Sequence, residues 1–175
     1  MGQAVSPGDF LHPIAPFTLA DTEAASEAWG ANCGPGALAA VLGLTLEQVR
    51  PHLGDFERKH YTNPTLMLAA LHSLEVTWCN SPNDWPDSGL IRVQWEGPWT
   101  APGVPIRARY RQTHWIGSRR GEAGIEVFDI NCMCVGGWVR LAEWRDQVVP
   151  WLLRECHPKA DGRWHTTHRL EVARA

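Results

Sequence analysis

Apolar positions in this chain follow a helical period first and a strand period later. Between Cys33 and Leu42 an Ala-rich run places Leu38, Val41 and Leu42 at helical spacing, and Gly43 supplies a stop. Thr45 opens a second helix, with Gln48 three residues on in capping-box spacing and Pro51 limiting its length. A third begins at Asn63, a cap residue, with Pro64 at the first helical position. There Leu66, Leu68, Ala69, Leu71 and Leu74 form a broad apolar stripe. The Ala-rich stretch after Asp21-Thr22-Glu23 predicts a short helical turn before Trp29.

Past residue 75 the pattern changes to short β-rich runs at Val76–Cys79, Leu90–Trp95, Thr113–Gly117 and Gly124–Asp129. Arg119-Arg120-Gly121-Glu122 predicts the hairpin turn between the last two. Leu141 to Cys156 predicts a further helix interrupted by Pro150, and His168–Val172 a terminal strand. Helices first and strands second describe an α+β domain in which one helix is buried against an antiparallel sheet. Residues 1–20 carry Pro7, Gly8, Pro13 and Pro16 without a period, and predict an extended arm; residues 21–175 then form a single domain.

A chain of 175 residues can bury a core without staples. Net charge is −3, so the sequence carries no electrostatic footprint for nucleic acid. The clusters Arg119-Arg120 and Arg107, Arg109, Arg111 are too short to change that. No apolar run is long enough to cross a bilayer and no signal-peptide pattern opens the chain, so a cytoplasmic protein without membrane insertion is expected. In that compartment the five cysteines (Cys33, Cys79, Cys132, Cys134, Cys156) are expected as thiols. The ten tryptophans suggest an aromatic-lined cleft, for which Trp29, Trp95 and Trp115 are the candidates, with core packing the competing use.

Chemistry enters with Cys33. In Trp29-Gly30-Ala31-Asn32-Cys33-Gly34-Pro35-Gly36 the thiol stands where a loop becomes a helix, and the positive end of the helix dipole favours thiolate over thiol. Pro35 suits the first turn, the two glycines admit close approach of another segment, and free N–H groups at the helix start suit a developing oxyanion. Against this stands the ordinary use of a free cysteine as a small buried residue. A partner decides between them. His114 lies on a predicted strand, and the next strand ends at Asp129 after a hairpin, which brings the two together; Asn131 is the alternative orienting group. The other seven histidines have no comparable pattern.

The order Cys, His, Asp is that of papain-like enzymes. Asn32-Cys33-Gly34-Pro35-Gly36-Ala37-Leu38, then His114-Trp115-Ile116, then Val127-Phe128-Asp129 resembles the papain-like peptidases that cut double-glycine leaders in bacteriocin exporters, and their stand-alone relatives. The resemblance covers roughly residues 27–131 and includes Thr62-Asn63-Pro64-Thr65 before a helix. It implies a papain-like cysteine proteinase fold and a cysteine peptidase or amidase with Cys33 as nucleophile, His114 as base and Asp129 as orienting group. No cofactor is implied, and the partner is a peptide or protein substrate.

The chain departs from that pattern six residues before the cysteine, where the family carries an oxyanion-donating glutamine and this sequence has Glu27. An ionised carboxylate cannot donate a hydrogen bond. Either Asn32 or Gln94 replaces the donor, or the chain is a binding module that has kept the scaffold and lost turnover. A competing chemistry is a zinc-stabilised structure using Cys132, Cys134, Cys156 and His157, although the one-residue cysteine spacing is unlike a common knuckle.

Overall fold

The segment that begins at Cys33 is a buried helix of the fold. The computed structural model describes residues 15–30 and 32–174. Helix α1 (Leu19–Trp29) is longer than the expected turn and already includes Asp21-Thr22-Glu23. A reciprocal Thr18–Asp21 capping box sets its start, and Gly30 ends the helix in the left-handed region. Helix α2 (Cys33–Leu42) has every residue from Gly34 to Leu42 buried and is closed by Gly43. Its glycines are there for contact. A Cβ on Gly34 would meet Thr62 Oγ1 at 2.2 Å, and one on Gly36 would meet Ile130 Cδ1 at 2.3 Å.

The second predicted helix is short, because α3 (Leu46–Val49) passes into a 3₁₀ turn at Arg50–His52 that contains Pro51. A single turn, α4 (Phe56–Lys59), precedes α5 (Pro64–Ser73), whose cap Asn63 accepts the Leu66 N–H at 2.8 Å. The rest of the chain carries strands β1 (Val76–Asn80) and β2 (Ser88–Trp95), helix α6 (Ile106–Arg109), and strands β3 (Thr113–Gly121), β4 (Gly124–Phe128) and β5 (Trp138–Arg140). Helices α7 (Leu141–Glu143) and α8 (Val149–Cys156) and strand β6 (Trp164–Arg174) complete it.

The architecture is α+β around one six-stranded antiparallel sheet in the order β1-β6-β2-β3-β4-β5. The last strand therefore sits between the first two. Inside β2, Leu90 joins the core under α1–α5, while Ile91, Val93 and Trp95 join a second core under α8. Ile91, Val93 and Trp95 alternate with Arg92 and Gln94, so the apolar face of β2 packs on the second core while its other face carries Leu90 and then two buried polar side chains.

Three local expectations change. Arg119 and Arg120 lie in β3 and not in a turn, since β3 continues to Gly121, which pairs with Gly124. Strand β5 is additional, and its three residues are too few to carry a pattern. The 141–156 helix is broken by a π-helical segment, Trp144–Val148, in which the Val149 N–H reaches back to Trp144 O. Pro150 follows at the start of α8, where its missing N–H is tolerated. Of the predicted arm, residues 1–14 lie outside the described residues; Ala15 and Phe17 are buried, Phe17 edge-on to Phe128 at 6.0 Å, and Leu19 and Ala20 belong to α1.

Candidate active site

Helix α2 and strand β3 bring Cys33 and His114 together, and the β3–β4 hairpin adds Asp129 just past the end of β4. His114 Nε2 contacts Asp129 Oδ2 at 2.9 Å. That leaves Nδ1 as the ring nitrogen for the thiol. Asp129 is completely buried and four donors hold it. Oδ1 accepts the Asn131 backbone N–H at 3.0 Å and the Asn131 side-chain amide at 2.8 Å, and Oδ2 accepts Trp144 Nε1 at 2.9 Å beside His114. Asn131 thus supports the aspartate and does not replace it.

Burial alone would push the Asp129 carboxyl up, but His114 and the donors from Trp144 and Asn131 bring it down to about 2. Burial likewise opposes charge on His114; the Asp129 carboxylate and Cys33 outweigh it and hold the imidazole well above its ordinary value. For Cys33 burial raises the thiol. The side-chain contact and charge of His114, with the Trp115 backbone N–H, more than reverse this, and the net position is below that of an ordinary thiol. The three groups therefore favour a thiolate, an imidazolium and a carboxylate in sequence.

A cleft of about 700 Å³ opens beside Cys33. Trp115 lines it and anchors its wall by donating Nε1 to Thr62 O at 2.7 Å. Trp95 does not line it: it is fully buried in the second core, stacked on the His114 ring at 6.1 Å, and so backs that ring. Trp29 is also core, edge-on to Phe56 at 5.4 Å. Only Trp115 of the three expected cleft tryptophans lines the cleft: Trp29 turns from α1 into the first core and Trp95 from β2 into the second.

The expected oxyanion substitutes differ in place. Asn32 lines the cleft, with its amide donating to Thr22 O at 2.9 Å. Gln94 lies in a smaller hollow apart from Cys33, and its Nε2 donates to Trp95 O at 2.7 Å. Glu27 is exposed on α1 and is not among the residues lining the cleft.

Two cleft groups were missed in the sequence. The Thr62 hydroxyl is buried against Gly34 with no hydrogen-bond partner among the described residues, an omission that costs about 1–3 kcal/mol in a folded protein. The signal for it was Thr62-Asn63-Pro64, read only as a helix start. Arg92 is buried in the cleft wall, and an arginine inside the otherwise apolar Leu90-Ile91-Arg92-Val93 was its signal. Trp144, which fixes Asp129, had none.

The zinc constellation is not assembled. Among the described residues no group of three or more His, Cys, Asp or Glu side chains is placed to hold a metal ion. Cys132 is buried, its thiol pushed up to about 12 by burial and by Asp129; Cys134 and Cys156 are exposed, and His157 Nδ1 contacts Gln112 Oε1 at 2.8 Å. Nor is any helix among the described residues long and apolar enough to cross a membrane. Comparison with protein-family models, with curated proteins and with solved structures finds no match to this chain.

Proposed function

We propose that this protein is a cysteine-dependent hydrolase of papain-like fold acting on a peptide or other amide bond. The observation that carries this reading is the Cys33–His114–Asp129 array, buried at His114 and Asp129 and opening on a cleft at Cys33, with Asp129 held by four donors.

In the first half of the reaction the Cys33 thiolate attacks the amide carbonyl carbon. The C–N bond then breaks, the leaving amine takes a proton from the His114 imidazolium, and a thioester remains on Cys33. In the second half His114 takes a proton from water, the resulting hydroxide attacks the thioester, and the acid leaves as Cys33 returns to thiolate. Asp129 keeps Nε2 occupied so that Nδ1 faces the sulfur.

The oxyanion is received by the first-turn N–H groups of α2 and by the Thr62 hydroxyl, which stands in for the glutamine that Glu27 replaces. A hydroxyl with no partner among the described residues is available to donate when charge develops.

The test is site-resolved alkylation of Cys33 by iodoacetamide at about pH 6, where an ordinary thiol is almost fully protonated. Fast labelling of Cys33 that is lost in His114→Ala supports the hydrolase. Equal, slow labelling of all five thiols overturns it and leaves the scaffold as a binding module.

A further inference from the structure

Arg92 sits at the centre of the sheet, opposite Trp115 on β3 and His168 on β6, and only 6 % of its surface is exposed. One guanidinium nitrogen, Nη2, donates to Tyr110 O at 3.3 Å and to Thr113 Oγ1 at 3.1 Å. Nε is buried with no partner among the described residues. No ion pair with an Asp or Glu reaches Arg92 among the described residues, and none of the described residues lining the cleft is an Asp or Glu. A guanidinium remains charged when buried, so the cleft wall holds a positive charge that no carboxylate pairs, and the Cys33 thiol, which lines the same cleft, is an acidic group whose charge bears on it.

From this we infer that the cleft is a carboxylate-binding subsite, in which Arg92 receives a carboxylate carried by the substrate close to the amide that Cys33 attacks. The inference rests on the hydrolase reading for the identity of the reacting bond. Three observations favour a carboxylate over a phosphate. Arg92 is the only arginine or lysine among the described residues lining the cleft, whereas a phosphate dianion draws more than one cation. His168, beside Arg92, is shifted down by burial and by the arginine's charge, which disfavours its charged form. His165, the other histidine on that wall, contacts Glu96 at 3.0 Å. The cleft therefore matches a monoanion.

Two sources of that group share the chemistry: a free peptide C-terminus and an acidic side chain. Their position relative to the thiol is the same. Arg92 and Cys33 line one cleft and act on each other electrostatically.

The experiment compares Cys33 labelling by iodoacetate and by neutral iodoacetamide in wild type, Arg92→Gln and Arg92→Lys, with site-resolved mass spectrometry. Both reagents need the thiolate, so their ratio removes any change in thiol pKa. An iodoacetate-to-iodoacetamide ratio about tenfold higher in wild type than in Arg92→Gln, partly restored by Arg92→Lys, supports the subsite. Equal ratios in the three proteins overturn it. Slow labelling by both reagents in wild type counts against the hydrolase, while the ratio still reports on Arg92.

A second measurement needs no variant: N-acetylglycine, N-acetylaspartate α-amide and neutral N-acetylglycinamide are tested as protectants of wild-type Cys33 against iodoacetamide. Protection by the first marks a C-terminal carboxylate and by the second an acidic side chain, either supporting the subsite. Protection by none of them, or equally by all three, counts against it.

Discussion

Trp144 donates its indole N–H to Asp129 Oδ2 at 2.9 Å, on the oxygen that also faces His114 Nε2. The two residues are 15 apart in sequence, come from different elements and are both fully buried. Trp144 reaches Asp129 from the π-helical segment at the head of α8, an irregularity of the kind that often marks a functional site. The indole fixes the carboxylate that orients the His114 ring.

Trp144→Phe keeps an aromatic ring in the second core and removes the donor. Stability is expected to fall by about 2–4 kcal/mol, from a hydrogen bond to a charged group together with lost volume. Urea denaturation measures the first effect. The pH profile of Cys33 alkylation reads the second, because a less firmly held Asp129 weakens His114 and moves the thiol up.

Asp129 makes stability pH-dependent on the acid side. Its folded pKa of about 2 lies below the ordinary carboxyl value of 3.8, so the contribution is complete above about pH 4 and is lost as pH falls through about 2. The shift corresponds to roughly 2 kcal/mol. The His114 shift runs the other way: its contribution is present below the ordinary histidine value of 6.5 and is lost as pH rises through the raised folded pKa. Urea midpoints recorded against pH in wild type and Asp129→Asn should differ in slope on the acid limb. Parallel curves would refute the assignment.

Cys33 alkylation should titrate below the ordinary thiol value of 9.0. In His114→Ala the burial of the sulfur is no longer offset, so the midpoint should rise above that value. Cys132, with its thiol at about 12, should be among the last of the five to react.

Thr62→Val replaces a hydroxyl by a methyl of similar volume. If Thr62 donates to the oxyanion, acylation of Cys33 by a p-nitrophenyl ester should slow by about 100-fold or more. Alkylation by iodoacetamide, which forms no oxyanion, should be unchanged. An equal loss in both reactions would assign Thr62 to packing alone.

Gly34→Ala sets two effects against each other. Alanine favours a helix over glycine by about 1 kcal/mol. Its Cβ would lie 2.5 Å from Thr62 Cβ, and overpacking of that kind costs about 1–3 kcal/mol. The steric term should win. A lower thermal midpoint together with slower esterolysis is expected, because the same collision displaces the Thr62 hydroxyl.

Local signals were read correctly where their chemistry was complete within a few residues. The Asn63–Leu66 cap and the Gly43 stop required no distant partner. The closeness of His114 and Asp129 was legible for the same reason, since a hairpin joins the two strands. Assigning Trp29, Trp95 and Trp115 together to a cleft failed because sequence adjacency does not say which face of a sheet, or which core, receives a ring.

The sequence by itself determined the order of helices and strands, the placement of a thiol at a helix start, and the spacing that carries His114 to Asp129. These depend on short-range periodicity, capping and turn geometry. Only the tertiary structure decided that β6 runs between β1 and β2, setting His168 against Arg92, and that Trp144 reaches Asp129. Pairing between strands some 75 residues apart depends on register and on burial of both sheet faces. The cleft, its buried arginine and the support of Asp129 and His114 arise from that long-range packing.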